Sequence, residues 1–99
     1  MARDEYRFSR EMGYTHSEFL RTLETFMGDA PYTVADRKIN IPGNGRSVGM
    51  MLADQQERKI GPTMKLTFTP VEFVFVGYPE ADRKLFLERF ELIFRKGGG

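Results

Sequence analysis

Few residues in this chain have the chemistry for catalysis or metal binding. Its 99 residues include one histidine, His16, and no cysteine. A Cys/His pair and a metal site with two histidines are therefore excluded, and a Ser/His/Asp set would depend on that single imidazole. His16 falls in the first turn of a predicted helix, where we expect a solvent-exposed side chain. We expect no catalytic residue, no metal site and no cofactor, and we predict that the chain is not an enzyme.

A glycine-rich motif, Gly43-Asn44-Gly45-Arg46, has a chemical and a structural interpretation. Its backbone N–H groups could hold a phosphate, with Arg46 as the counter-charge. The motif lies between two strand patterns, however, and it opens no helix whose dipole would support an anion. Asn-Gly between strands is typical of a hairpin turn, and we interpret the motif as such a turn.

Glu72 is the one acid inside a strong strand pattern. On a covered face of a sheet it would be a candidate general base. On an open face we expect it to form a cross-strand ion pair with Lys65 or Lys38. We favour the ion pair.

The charge balance excludes a general attraction to polyanions. Fifteen basic and fourteen acidic residues give a net charge of +1, so we do not expect nucleic-acid binding. The strand aromatics Phe68, Phe73 and Phe75 are predicted to lie on a helix-covered face, where they cannot stack on bases. No apolar run approaches the roughly 18 residues that a membrane span needs, and the polar N-terminus has no signal-peptide core. We therefore expect a cytoplasmic protein without membrane contact.

Two helices are well marked. Thr15 and Glu18 fit a capping box before an apolar stripe, so the first helix is predicted over about 16–27, with Gly28 at its end. The second begins with Pro79 at the first helical position and ends at Gly97. Its apolar surface is wider than one packing face requires. The surplus is either Leu87 and Phe94 on one flank or Leu85 and Leu92 on the other.

Alternating apolar residues predict the strands. A short strand is expected at 5–11, a second around Tyr32 and Val34, a third around Ile39 and Ile41, and a fourth over 46–53. The polar run 54–58 is predicted to be a turn. The stretch 59–77 changes the parity of its apolar residues at Pro70, which indicates a β-bulge or a bend. We favour one long bent strand, with two separate strands as the alternative.

These elements predict a single α+β domain over residues 1–99. The expected architecture is a twisted antiparallel sheet with two helices packed on one face, in the order β-α-β-β-β-β-α. Residues 1–4 and 97–99 are expected to be flexible.

Two surfaces of this fold are predicted to contact a partner. On the open sheet face, Met51, Val74 and Val76 are expected to form an apolar patch bordered by Lys65, Thr67 and Glu72. The second surface is the surplus apolar flank of the last helix, with Leu87 and Phe94. Coverage of the patch by the first strand or a loop is the competing interpretation. We predict a non-enzymatic protein-interaction module or homodimer; the alternatives are a small-molecule binder or weak enzyme with a helix/sheet cleft, and a nucleic-acid accessory protein.

Overall fold

A computed structural model describes residues 4–95 of the chain. The elements are β1 (Glu5–Met12), α1 (His16–Met27), β2 (Thr33–Ala35), β3 (Lys38–Pro42), β4 (Ser47–Leu52), β5 (Gln56–Lys59), β6 (Lys65–Val76) and α2 (Glu80–Ile93). The predicted α+β class with an antiparallel sheet is confirmed, with one more strand than expected. The flexible ends that we expect at 1–3 and 97–99 lie outside the described residues. Asp4, also expected to be flexible, accepts a hydrogen bond at its carbonyl from the Gly77 N–H, with an N···O distance of 2.9 Å.

The sheet is antiparallel throughout and has the order β1-β6-β4-β3-β2, with β5 paired to β6 off this path. β6 is therefore the central strand, between β1 and β4 over residues 71–76. The segment 5–11, an expected strand, forms β1 at one edge of the sheet. Its charged residues suit an edge, because charges oppose pairing with another chain.

The first helix begins and ends where the sequence predicts. The Thr15 hydroxyl accepts a hydrogen bond from the Glu18 N–H, and the Glu18 carboxylate accepts one from the Thr15 N–H. This reciprocal cap satisfies two N–H groups that a helix start otherwise leaves unpaired. At the other end, Gly28 has a φ of +58°, which a residue without a side chain adopts at little cost.

The second helix differs from prediction at both ends. Pro79 is the N-cap residue with extended backbone rather than the first helical residue. The last helical residue is Ile93, and the predicted end at Gly97 is wrong for that reason. Phe94 leaves the helical conformation and its ring packs 4.9 Å from that of Phe19. Burial of the Phe94 ring against the first helix stabilises a second helix that ends at Ile93, before the predicted end.

Both helices pack on the same face of the sheet, as predicted. Phe73 of β6 is fully buried and contacts Phe90 of α2 edge-to-face, with ring centroids 5.3 Å apart. Phe19 of α1 completes the layer 6.5 Å from Phe90. Edge-to-face rings add roughly 0.5–1.5 kcal/mol per pair to the free energy of burial. The aromatic layer between sheet and helices is thus the core of the protein.

β6 confirms that one long strand crosses the change of parity, although it covers 65–76 rather than 59–77. Residues 60–64 form a turn, and the predicted turn at 54–58 is wrong because residues 56–58 belong to β5. Leu52 lies opposite Val71, whereas Gln56 lies opposite Phe68. Four steps along β4–β5 thus match three along β6, so the bulge lies in the partner strand and not at Pro70.

β5 and the first part of β6 form a two-stranded extension of the sheet. We call residues 56–68 the arm. All four β5 residues are exposed, and β5 pairs only with β6 within the described part of the chain. The described molecule measures 53 × 26 × 25 Å.

Candidate interaction surfaces

The face of the sheet opposite the helices carries the predicted apolar patch. Val74 lies opposite Gly49 of β4, and Met51 lies opposite Glu72. Val76 follows on the same face, since side chains two residues apart point the same way. Met51 is 43% exposed, while the two valines are half-buried between their neighbours. β1 lies beside this patch in the plane of the sheet and does not cover it.

A shallow depression occupies the middle of this open face. Its volume is about 370 Å³. Gly49 lies in its floor, and an added Cβ there would only reach ordinary contact distance, 3.9 Å, from Val74. The side chains that line the depression come from five strands of the sheet: Arg7, Thr33, Lys38, Asn40, Met51 and Glu72. An apolar floor with a charged rim can bind a segment of mixed polarity.

The charged rim differs from the predicted one. Glu72 lies 3.7 Å from the Arg7 guanidinium, so its ion pair is with β1 and not with Lys65 or Lys38. Lys65 and Thr67 do not border the patch, because they lie on the arm. Lys65 is 3.8 Å from Glu57 across the arm. Thr67 lies five positions before Glu72 along the strand, which corresponds to about 17 Å.

The exposed flank of α2 is the second of the two alternatives. Leu85 and Leu92 are each 59% exposed. Leu87 is half-buried against the core, and Phe94 is buried with its ring 4.1 Å from that of Phe90. The prediction that Phe94 lies on a free contact surface is therefore corrected. The helix ends before Phe94, which turns its ring inward.

The arm carries apolar side chains that the sequence placed on the wrong face. Phe68 was expected beside Phe73 under the helices, but strict alternation along β6 puts it on the opposite side. Its ring is covered by the Arg58 guanidinium at 4.6 Å, and Arg58 also binds Glu11 at 3.1 Å. The alternation of apolar residues before Pro70 predicted that this segment is a strand. Only the pairing register of β6 shows which face of the sheet Phe68 lies on.

The turn of the arm is its most exposed apolar part. Ile60 is 53% exposed and Met64 is 60% exposed. The Ile60 N–H donates to the Met64 carbonyl at 3.0 Å, which closes the turn.

The polar residues singled out from the sequence have structural contacts. His16 is half-buried rather than exposed, because its backbone N–H donates to the Gln55 side chain and its Nε2 lies 2.7 Å from the Ala53 carbonyl oxygen. These contacts join α1 to the bulge. Arg46 forms an ion pair of 2.6 Å with Asp82 and lies 4.4 Å above the Tyr78 ring. The glycine-rich motif thus forms a turn whose arginine binds α2.

Residues 4–95 contain no cluster of three or more potential metal ligands among His, Cys, Asp and Glu. No helix within this range is both long enough and apolar enough to cross a membrane. Comparison with protein families, with curated proteins and with solved structures finds no match. The surfaces described above are therefore the basis for assigning a function.

Proposed function

We propose that this chain is a non-enzymatic protein-interaction module that binds a partner protein with the open face of its sheet. One observation carries the proposal: both helices pack on one face, while the other face presents the apolar patch, with Met51 and Val74 lining a depression that has a charged rim. Apolar patches with polar borders are typical of protein contact sites. We also propose a cytoplasmic location, with which the lack of cysteine agrees.

The rim favours a partner segment that carries both signs of charge. Lys38 lies beside Met51 and has no ion-pair partner within residues 4–95, so it can bind an acidic group. Glu72 and Arg7 face each other at 3.7 Å with about half of each side chain exposed, and each can exchange this contact for one with the partner. Such exchange contributes orientation and association rate more than affinity.

Site-specific cross-linking tests this proposal in cells that produce the protein naturally. A photoreactive amino acid replaces Lys38 on the open face, and a matched protein carries it at Lys84, an exposed lysine on α2. We expect a protein adduct from position 38 and none from position 84. Met51→Glu should remove the adduct because it buries a charge in the contact, whereas Met64→Glu, on the arm, should leave it.

Equal adducts from both positions would contradict the proposal, as would an adduct that survives Met51→Glu. No adduct from position 38 would also contradict it and would favour the alternative of a small molecule in the depression. Thermal unfolding of both glutamate variants controls for loss of fold, since both methionines are substantially exposed.

A further inference from the structure

The arm has an unpaired strand edge in line with β1. β1 pairs with β6 from Val76 as far as Thr69, which lies opposite Met12. The chain then turns away, and the Tyr14 N–H donates to the Met12 carbonyl at 2.7 Å. Beyond that point, residues 65–68 of β6 pair with β5 only, and no other described strand lies on their second side. An open strand edge is a template for pairing with another chain.

The hydrogen-bond pattern shows which backbone groups face this edge. In an antiparallel pair, hydrogen-bonded and non-hydrogen-bonded residue pairs alternate. The Ile60 N–H donates to the Met64 carbonyl, so the next hydrogen-bonded pair of the arm is Arg58 with Leu66. The backbone groups of Lys65 and Thr67 therefore point away from β5, toward the free edge.

The hydrogen bonds between β6 and β1 independently show that the backbone groups of Lys65 and Thr67 face the free edge. The Gly77 N–H donates to the Asp4 carbonyl in the register of β1 with β6. Odd-numbered residues of β6 thus form hydrogen bonds with β1, down to Thr69 opposite Met12. Thr67 and Lys65 are the next two in that series, and they lie past the end of β1.

We propose that two copies of this chain pair through this edge, antiparallel and around a two-fold axis, with Leu66 opposite Leu66 of the second copy. In this register Lys65 lies opposite Thr67, and the outward backbone groups of both residues form hydrogen bonds twice. On the apolar side, Met64 lies opposite Phe68. Phe68 is already buried in the single chain at 6% exposure, so the apolar surface that the pairing removes from water comes from half-buried Leu66 and from Met64, which is 60% exposed.

The side chains of the two strands favour this edge over the outer edge of β5, whose four residues are all polar or charged. The equivalent two-fold pairing of β5, with the backbone groups of Glu57 and Lys59 facing outward, places Glu57 opposite Lys59 twice but buries no apolar side chain, and it places Arg58 opposite Arg58 of the second copy. Like charges directly opposite each other destabilise a strand pair. The β6 register puts no like charges in opposite positions, and an isologous contact of this kind closes as a dimer.

The contact is short, so we expect weak association with a Kd between about 10 μM and 1 mM. It uses a different surface from the open-face site, and each proposal can fail without the other. Cross-linking from position 38 is expected to be unchanged when the arm contact is removed.

Two matched proline variants test the edge by sedimentation equilibrium of the full chain up to about 1 mM, the weak end of ordinary affinities. Thr67→Pro removes an N–H that points to the free edge and spares the arm's own ladder, a position where strands accept proline. Glu57→Pro does the same at the β5 edge. We expect the wild type and Glu57→Pro to dimerise and Thr67→Pro to be monomeric. A monomeric wild type, or loss of the dimer in Glu57→Pro alone or in both variants, would overturn the proposal.

A charge-swap pair tests the register even if a proline distorts the arm. Because Leu66 lies opposite itself, Leu66→Lys and Leu66→Glu should each be monomeric, and their equimolar mixture should form a heterodimer. A mixture that stays monomeric, or a dimer that survives in either single variant, would show that Leu66 does not lie on the two-fold axis. Thermal unfolding checks that both variants remain folded, which we expect because Leu66 lies outside the aromatic core.

Discussion

The two ends of β6 belong to one continuous strand but have different surroundings. Residues 71–76 lie between β1 and β4 and under both helices, and Phe73 and Phe75 there are almost completely buried. Residues 65–68 have one neighbouring strand, β5, and lie outside the hydrophobic core that the helices cover. The same alternation of side chains therefore produces the aromatic core at one end, whereas at the other end Leu66 is half-buried and Phe68, only 6% exposed, is covered by Arg58 of the neighbouring strand. Stability depends on the layers that cover a strand, and the arm end of β6 is where we propose that a second copy binds.

The largest difference is expected from truncating one apolar side chain at each end. Phe73→Ala leaves a cavity among aromatic rings and should lower the free energy of unfolding by about 3–5 kcal/mol. Met64→Ala, in the exposed turn of the arm, should change it by less than about 0.5 kcal/mol. Urea unfolding of both variants measures the two values. Similar losses in the two variants would mean that the arm is part of the folding core.

A second contrast compares two glycines. Gly77 has a φ of +73°, and an added Cβ would lie 2.7 Å from the Gly45 carbonyl oxygen. Gly77→Ala should therefore lower the free energy of unfolding by about 1–3 kcal/mol from backbone strain, before the clash is counted. At Gly61 in the arm, the nearest atom to an added Cβ is 3.9 Å away. Gly61→Ala should be neutral within about 0.5 kcal/mol, and a thermal melt of the pair separates the two cases. Equal melting temperatures of the two variants would show that the backbone at Gly77 can adjust to a side chain without loss of stability.

The smallest effect on stability is expected where the arm joins the rest of the sheet. Asp54 lies in the bulge, and its hydrogen bond from Arg37 lowers the pKa of its carboxyl below the ordinary 3.8. A lowered pKa stabilises the fold above that ordinary value, and the stabilisation is lost as pH falls through the lowered pKa. Because the pair is exposed, Asp54→Asn should lower the melting temperature only slightly at pH 7, and this difference should shrink as the pH falls through the lowered pKa. A difference that grows on acidification would contradict this sign.

Local patterns predicted the elements with strong signals of their own. The capping box of Thr15 and Glu18, with Gly28 after the apolar stripe, placed α1 at its observed bounds. The alternation of Val48, Met50 and Leu52 gave β4 and its buried face. In these segments, the sequence neighbours of each residue supply the interactions that decide its conformation.

Other features depend on partners distant in sequence. β5 has no apolar face of its own, so only its pairing with β6 makes Gln56–Lys59 a strand. The side of Phe68 follows from the bulge in the opposite strand, which no pattern around Pro70 could locate. The open-face patch of Met51, Val74 and Val76 was predicted, but its true neighbour Arg7 is set by the register of β1. Phe94 was assigned to the surface because nothing local indicated that the helix ends one residue before it.

Amide hydrogen exchange along β6, followed by NMR, tests the division of this strand most directly. In a dilute sample near 50 μM, we expect the Phe73 amide to exchange only through global unfolding, the slowest class in a folded protein. The Leu66 amide should be intermediate, and the Thr67 amide should exchange nearly as fast as in an unstructured chain. Near 1 mM, close to the weak end of the expected affinity, dimer formation should slow exchange at Thr67 but not at Glu57. A Thr67 amide as protected as that of Phe73 in the dilute sample would contradict the claim that residues 65–68 of β6 have an unpaired edge.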